Sequence, residues 1–375
     1  MSAGKASVTK RVDHELTGIE ILRFLCAFGI LIWHYQHFFF AGPWDPDVGL
    51  ALRPTLPLYG YLSFFYNNGS QAVPVFWVIS GFIFYWHYAE TILSRTVIFS
   101  DFIVRRISRL YPLHFATLIF VAGAQYAYYL SHRTTFIYAW NKPIWFVSHL
   151  LFASNWFARQ PTTFNGPIWS VSIEMLIYLF FFCVARTFRP NAWIAAGIAA
   201  IFAVCFSALH TFINPEVFSC GMYFFAGGVA QRLAARRVAL PVSLCVAAVV
   251  VLSIRIFGVN TESVLCLAMC AVIIFAKIGE TSLGAALRPL AFLGNATYAS
   301  YLLHFPLQLV LVSVVDAIGW KRNIFYSPVL FVGFLALVIG LSLAVHRYFE
   351  MPAQSALRAA AKSSFRKPPL VPETA

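Results

Sequence analysis

Two ionisable residues lie inside apolar segments at positions from which they could act on each other. Glu174 follows Ile168 by six residues, and His34 lies 15 residues into the apolar run 19–40. At a rise of about 1.5 Å per residue, both lie about 8–9 Å from the same membrane edge if each run spans a bilayer. A carboxylate can orient an imidazole and stabilise its protonated form, which would make His34 a general base toward a hydroxyl group. The same spacing is equally compatible with a structural hydrogen bond between two buried polar groups.

Four arginines lie toward the opposite ends of these segments. Arg23 precedes His34 by eleven residues, which is about 16 Å of helix. The other three come just before the apolar run 110–130 and are Arg105, Arg106 and Arg109. Guanidinium groups bind phosphate through two parallel hydrogen bonds, so this cluster could hold a polyphosphate ligand. Two other interpretations stay open: Arg23 could pair with Glu20, three residues earlier, and the cluster could serve membrane topology or lipid binding.

The elements that position these residues follow from composition. The chain has 375 residues, of which 60% are hydrophobic and 11% are charged, whereas an ordinary globular domain has about 25% charged residues. Apolar runs of about 20 residues recur, and each is long enough to cross a hydrocarbon core of about 30 Å. We therefore predict an all-α, polytopic integral membrane bundle of about ten transmembrane helices. The predicted spans are 19–40, 73–90, 110–130, 168–188, 191–211, 217–233, 239–257, 261–278, 295–318 and 325–349.

The distribution of basic residues predicts the orientation of the bundle. With the N-terminus in the cytoplasm, 20 of the 27 Lys and Arg residues fall on the cytoplasmic side, so the positive-inside rule places both termini there. The net charge of +13 follows from this bias and requires no nucleic-acid partner. We predict a cytoplasmic segment 1–18, a transmembrane domain 19–352 and a disordered cytoplasmic tail 353–375.

The connections and cysteines add two further expectations. The predicted outer segments 41–72 and 131–167 are rich in aromatic residues, which could stack on sugar rings or simply lie at the membrane interface. The seven cysteines fall in apolar stretches without a C-x-x-C pair, so we predict neither a disulfide framework nor a metal site.

Several short motifs occur together in one order along the chain. They are Arg23-x10-His34, Phe76-Trp77-Val78-Ile79-Ser80-Gly81-Phe82, Arg105-Arg106-x-x-Arg109-x-Tyr111-Pro112, Trp169-Ser170-x-x-x-Glu174, Leu293-Gly294-x-x-x-Tyr298-x-x-Tyr301-Leu302-x-His304-x-Pro306 and Glu350-x-Pro352. In this order they resemble the acyltransferase 3 family of membrane O-acyltransferases. The resemblance covers about residues 16 to 352 and assigns the predicted domain 19–352 to that family.

The resemblance implies a reaction and a role for each motif residue. An acyl group, with acetyl expected, would move from cytosolic acyl-CoA to a hydroxyl of a carbohydrate at the outer face of a bacterial inner membrane. Acyl-CoA would be a co-substrate, without a tightly bound cofactor. His34 matches the catalytic base and Glu174 the residue that supports it. The matching donor-binding residues are Arg23, Arg105, Arg106 and Arg109, and the expected supporting residues are Ser80, Trp169, Ser170, Tyr298 and His304.

A transporter or permease is the main alternative to an enzyme. Such a protein could use the same buried Arg, His and Glu residues as a proton relay or substrate clamp. Two features of the sequence disfavour it: acidic residues are few, and no corresponding pair of Gly/Pro-broken helices marks two inverted halves. A G-x-S-x-G nucleophile elbow is also absent from the sequence, which disfavours a serine acyl-enzyme.

Overall fold

The structure, a computed structural model, describes residues 2–209 and 212–365. Regular structure in these residues is helical, and only two isolated bridges, Pro43–Ile137 and Phe157–Ile213, pair backbone segments side by side. The all-α prediction is confirmed. The long helices are α1 (Ser2–His34), α2 (Ala72–His87), α3 (Phe99–His132), α4 (Ile168–Thr187), α5 (Ala192–Ala208), α6 (Pro215–Ala234), α7 (Ala239–Phe257), α8 (Thr261–Gly279), α9 (Ala296–Ala317), α10 (Pro328–Val345) and α11 (Met351–Phe365). Shorter α-helices are Pro46–Leu52, Tyr59–Asn68, Ala89–Leu93, Pro143–Leu150 and Ser282–Leu287.

Each predicted span has a helix at its position, but ten transmembrane helices are not confirmed. Among the described residues, seven helical segments are long and apolar enough to cross a membrane by length and composition. Helices α2 and α5 have 16 and 17 residues, fewer than the roughly 20 that a membrane crossing needs. Helix α6 carries Glu216, Gln231 and Arg232 among its 20 residues. The coarser prediction, a polytopic helical bundle, agrees with the structure.

Helices α2 and α6 cross in direct backbone contact at the centre of the bundle. A side chain at Gly81 would overlap the carbonyl oxygen of Phe224, and a side chain at Gly227 would overlap the carbonyl oxygen of Val78. Small residues at such crossings allow helices to approach closely in membranes. Because Trp77 on α2 is only 2% exposed, this short helix lies in the protein interior, where it can line a site.

Helix α3 begins earlier than predicted. It starts at Phe99, eleven residues before the predicted span 110–130, so the arginine-rich turn lies inside the helix instead of preceding it. Its 34 residues are about 50 Å long, compared with a hydrocarbon core of about 30 Å. Helix α3 therefore tilts or extends beyond the core. Pro112 lies within it, and since proline has no N–H, one backbone carbonyl of the preceding turn loses its helical partner.

The segment 143–163 packs along α3: His149 is 2% exposed, whereas Leu151 is 70% exposed and stays on the surface. The hydroxyl of Tyr111 donates to the carbonyl oxygen of Leu150 at 3.0 Å, and His114 Nε2 donates to the carbonyl oxygen of His149 at 2.8 Å. Tyr111 precedes His132, the end of α3, by 21 residues, or about 31 Å of helix. These bonds hold this part of the predicted outer segment 131–167 against α3, far from the His132 end of that helix. Non-helical backbone at such depth is tolerated where protein surrounds it.

A cluster of charges connects the far ends of α1, α3 and α9. Arg322 donates to both carboxylate oxygens of Asp316, at 3.1 and 2.6 Å, and to the Tyr128 hydroxyl at 2.7 Å. It also donates to the carbonyl oxygen of Phe40. His132 Nε2 lies 3.0 Å from Asp316. These bonds hold the His132 end of the bundle together.

The two predicted terminal segments differ from the structure where it describes them. The predicted disordered tail 353–375 is helical as far as Phe365, because α10 continues through a π-helical turn, His346–Glu350, into α11. Helix α11 packs on α3, where Arg358 Nε donates to the Ser108 hydroxyl at 3.1 Å. Residues 366–375 of the predicted tail lie outside the described residues. At the other terminus, α1 starts at Ser2, so no break in the backbone marks the predicted boundary after residue 18.

Candidate active site

A cavity of about 130 Å³ lies between α1, α2, α3, α4 and α9. Seven of the eleven predicted site residues line it: Arg23, Ser80, Arg106, Arg109, Ser170, Glu174 and Tyr298. Other polar groups in its wall belong to Tyr178, Thr297 and Tyr301, and most of the remaining wall is apolar. Motifs from five separate helices therefore meet around one space, which we call the arginine cavity.

The three arginines of α3 lie in different environments. Arg106 is 9% exposed, its guanidinium carbon is 5.0 Å from the ring centres of both Phe84 and Tyr88, and Nη2 donates to the Tyr88 hydroxyl at 2.6 Å. Two aromatic faces and a hydroxyl thus hold this cation. Arg105 is exposed and does not line the cavity. Arg109 lines the cavity and makes no hydrogen bond or ion pair with any described residue.

Arg23 is partly neutralised where it faces the cavity. Its Nη1 lies 2.8 and 2.9 Å from the two carboxylate oxygens of Glu20, one helical turn earlier. The alternative that Arg23 pairs with Glu20 is therefore confirmed by the geometry. Since Arg23 also lines the cavity, the pairing fixes its position without removing it from the site.

Glu174 lies among the arginines of the cavity. The hydroxyls of Ser80 and Tyr178 and the guanidinium groups of Arg106 and Arg109 are the polar groups acting on its carboxylate. Its Oε1 is buried and has no hydrogen-bond partner among the described residues. Tyr178 follows Glu174 by four residues on α4, a spacing that brings two side chains to the same helix face. The sequence contained this signal, but Tyr178 was absent from the predicted site.

His34 lies in a separate cluster of imidazole rings. Its ring centre is 4.6 Å from that of His304 and 4.9 Å from that of His37. Nδ1 of His34 lies 3.0 Å from the carbonyl oxygen of Ile30, and since a carbonyl can only accept, Nδ1 carries the proton of the neutral ring. Nε2 then holds the lone pair, which is the state that a general base requires.

His304 has the same tautomer as His34. Its Nδ1 donates to the carbonyl oxygen of Ser300 at 3.0 Å, which leaves the lone pair on Nε2, and this nitrogen is buried without a described partner. Gln308 completes the cluster, because its amide donates to the carbonyl oxygen of His34 at 2.8 Å and its Oε1 accepts from His37 Nδ1 at 3.3 Å. Sequence reasoning did not include His37 or Gln308 in the site.

One face of α9 connects the two parts of the site. Tyr298, Tyr301, His304 and Gln308 follow at intervals of three, three and four residues, which places them on the same side of the helix. Tyr298 and Tyr301 line the arginine cavity, and Tyr301 exchanges a 2.8 Å hydrogen bond with Ser170. His304 and Gln308 contact the His34 cluster. From Tyr298 to His304 the helix rises about 9 Å.

The predicted direct pairing of His34 with Glu174 is not found. Glu174 lies one helical turn beyond Ser170, which bonds Tyr301, whereas His34 lies beside His304, farther along α9. Helix α4 begins at Ile168, as predicted, but the depth estimate gives only a height along each helix and not the neighbours that a side chain faces. The roles predicted for His34 and Glu174 therefore concern two neighbouring sites.

The remaining supporting residue and the aromatic segments have definite positions. Trp169 packs edge-to-face on Trp77 at 5.9 Å, so it supports the cavity wall. The ring of Trp44 lies 5.4 Å from that of His37, and the ring of Tyr138 lies 6.3 Å from it. Aromatic residues from both predicted outer segments thus reach the histidine cluster. Within the described residues, no group of three or more His, Cys, Asp or Glu side chains could hold a metal ion.

The fold and the site together describe a polytopic helical membrane protein with a line of polar groups through its bundle. The family model Acyl_transf_3, described as Acyltransferase domain, matches residues 16–347, and the chain belongs to this acyltransferase family. Acyltransferase MdmB of Streptomyces mycarofaciens is 32% identical over 203 residues, which are 50% of this chain and 44% of that relative. No solved structure matches the chain. The chain is therefore a polytopic helical member of the acyltransferase family that its motifs predicted.

Proposed function

We propose that the protein moves an acyl group, acetyl in the simplest case, from cytoplasmic acyl-CoA to a hydroxyl of a cell-surface or exported carbohydrate. The observation that carries this proposal is the polar face of α9, which joins a cationic cavity to a histidine with a free lone pair. Such a path can receive a donor at one end and an acceptor at the other.

The charge distribution supports the direction of transfer. The cavity arginines belong to the end of the bundle that the positive-inside rule assigns to the cytoplasm, where acyl-CoA would be found. The histidine cluster then faces the opposite side of a bacterial inner membrane, with both termini cytoplasmic. Trp44 and Tyr138 border the cluster, and their aromatic faces suit the apolar face of a sugar ring.

The tautomer of His34 supports its role as general base. Nε2 takes the proton of the acceptor hydroxyl while the oxygen attacks the thioester carbonyl, and the carbon–sulfur bond then breaks. The proton on His34 passes to the leaving thiolate, so the imidazole is neutral again. Assistance of this kind contributes about 10² to 10⁴ in rate. His304, 4.6 Å away with an unpartnered Nε2, offers an acceptor to the protonated ring, the role that was predicted for Glu174.

Mass spectrometry of surface glycans tests the proposal. Cells expressing wild type, His34→Ala, His87→Ala or no protein are compared at matched membrane levels of each variant. His87 lies at the end of α2, outside the cavity lining, and serves as the matched control. We expect an acyl mass increment with wild type and His87→Ala only.

Each other outcome has a definite meaning. An increment that survives His34→Ala would remove the proposed base. No increment in any sample, together with solute uptake into vesicles in the absence of an acyl donor, would support the transporter alternative.

A further inference from the structure

The arginine cavity contains hydrogen-bonding groups of both kinds that lack partners. Oε1 of Glu174 and Nε of Arg106 are buried without a described hydrogen-bond partner, and the guanidinium of Arg109 makes no bond to any described residue. Leaving such groups unpaired away from water costs about 1–3 kcal/mol each, and more for charged groups. The cavity is therefore built for an occupant that both accepts from an arginine and donates to a carboxylate.

Only some chemical groups of an acyl-CoA donor can both accept from an arginine and donate to a carboxylate. A phosphate would satisfy the arginines, but it has no proton to give to Glu174 and would place a second negative charge beside that carboxylate. A hydrocarbon chain would satisfy neither group. Among the groups next to the thioester, a secondary amide satisfies both, since its carbonyl oxygen accepts and its N–H donates; the hydroxyl of the arm lies farther away, toward the phosphates.

We propose that Arg109 and Glu174 bind an amide group in the pantetheine arm of the donor, an inference that rests on the proposed acyl-CoA-dependent function. The amide carbonyl accepts from Arg109, and the amide N–H donates to Oε1 of Glu174. Phe76, Ile83 and Leu110 in the cavity wall face the methylene groups of the arm. The nucleotide end then lies outside the cavity, so Arg106 and Arg109, the two arginines of α3 that line the cavity, do not act as the diphosphate site that the sequence suggested.

The position of the cavity agrees with this assignment. Two methylene groups separate the amide nitrogen nearest the thioester from its sulfur atom. An amide held at the level of Glu174 therefore places the thioester toward Tyr301 and His304, which follow on the polar face of α9. The acyl carbon approaches the side of the bundle where His34 lies.

Truncated donors test the amide contact directly. Membranes containing the protein are supplied with acetyl-CoA, with S-acetyl-N-acetylcysteamine, which keeps one amide, or with its isostere in which an ester oxygen replaces the amide N–H. Incorporation of labelled acetyl into the glycans of the same membranes is measured. We expect the amide donor to be used at least about tenfold better than the ester by wild type, which corresponds to one hydrogen bond of about 1.4 kcal/mol.

Variants of the protein test which side chain binds the amide N–H and which binds the amide carbonyl. Glu174→Leu should reduce the preference for the amide donor to less than about threefold, since the side chain then has no oxygen to accept the N–H. Arg109→Ala should slow both short donors equally, because both keep the carbonyl. Ile107→Ala, on the same helix, 40% exposed and outside the cavity lining, should leave all three rates within about twofold.

The outcomes distinguish this inference from the function on which it rests. Use of acetyl-CoA with equal use of the amide and ester donors would overturn the amide contact alone. Use of acetyl-CoA with refusal of both short donors would also overturn it, because the arm would then be held elsewhere. Failure of acetyl-CoA itself would overturn the proposed function.

Discussion

The aromatic residues around Arg106 predict that this arginine stabilises the fold, whereas Arg109 has no such contacts with any described residue. Tyr88→Phe keeps the ring that lies 5.0 Å from the guanidinium carbon but removes the hydroxyl that accepts from Nη2 at 2.6 Å. A hydrogen bond to a charged group contributes about 1.5–3 kcal/mol, and with Arg106 only 9% exposed water replaces it poorly. We expect the free energy of unfolding to fall by about 2 kcal/mol.

The assay is unfolding of the purified protein in mixed micelles by a denaturing detergent, with Tyr126→Phe as the matched control. Tyr126 lies on α3 and is 65% exposed, so loss of its hydroxyl should change stability by less than about 0.5 kcal/mol. Equal stability of the two variants would refute the assignment of Arg106 as a held, structural cation. Arg106 would then be as free for ligand binding as Arg109.

Three further perturbations test other parts of the bundle. Asp316→Asn should lower the free energy of unfolding by about 3 kcal/mol, because Arg322 would keep its charge without a counter-charge; heat denaturation in detergent measures this. Gly81→Leu should prevent the close crossing of α2 and α6 and abolish the folded fraction in gel filtration, whereas Gly123→Leu, in open space on α3, should not. Gln308→Leu should reduce acyl transfer about tenfold or more at an unchanged folded fraction, because the amide that links the His34 carbonyl to His37 is lost.

Hydrophobic runs predicted where the helices lie, but not how far each extends. The three arginines before residue 110 indicate a polar boundary, so the sequence predicts a span that begins there. In the structure the boundary is eleven residues earlier, since aromatic side chains from α2 and the residues after it accommodate Arg106. Cation–π pairing of this kind depends on residues from another part of the chain, so a hydropathy profile cannot predict it.

The sequence predicts most residues of the candidate site, but it does not predict how they are arranged. The spacing of Tyr298, Tyr301 and His304 is part of a motif by which the sequence resembles the family. Helical periodicity places these three residues on the same face of one helix. Glu174 was matched to His34 by depth alone, which gives a height in the membrane but no direction around the helix. The partner that the structure gives His34 is His304, which the sequence offered only as a supporting residue.

The position of the segment 143–163 could not be predicted from local patterns. Its contacts join His149 to His114 and Leu150 to Tyr111, pairs that are 35 and 39 residues apart. Neither periodicity nor composition specifies such pairs. The aromatic content of the segment was consistent with a membrane surface, but Trp156 donates instead to the carbonyl oxygen of Ser172 in the bundle at 2.8 Å.

The polar face of α9 also bears on the electrical integrity of the membrane. Tyrosine hydroxyls, imidazoles and an amide in one line form a path along which protons could hop between the two aqueous compartments. The Tyr301 hydroxyl bonds Ser170, and Nε2 of His304 has no partner among the described residues, so these groups do not form one continuous chain of hydrogen bonds. An interrupted line of this kind keeps a polar helix face from conducting protons, which any protein in a membrane that holds a proton gradient requires.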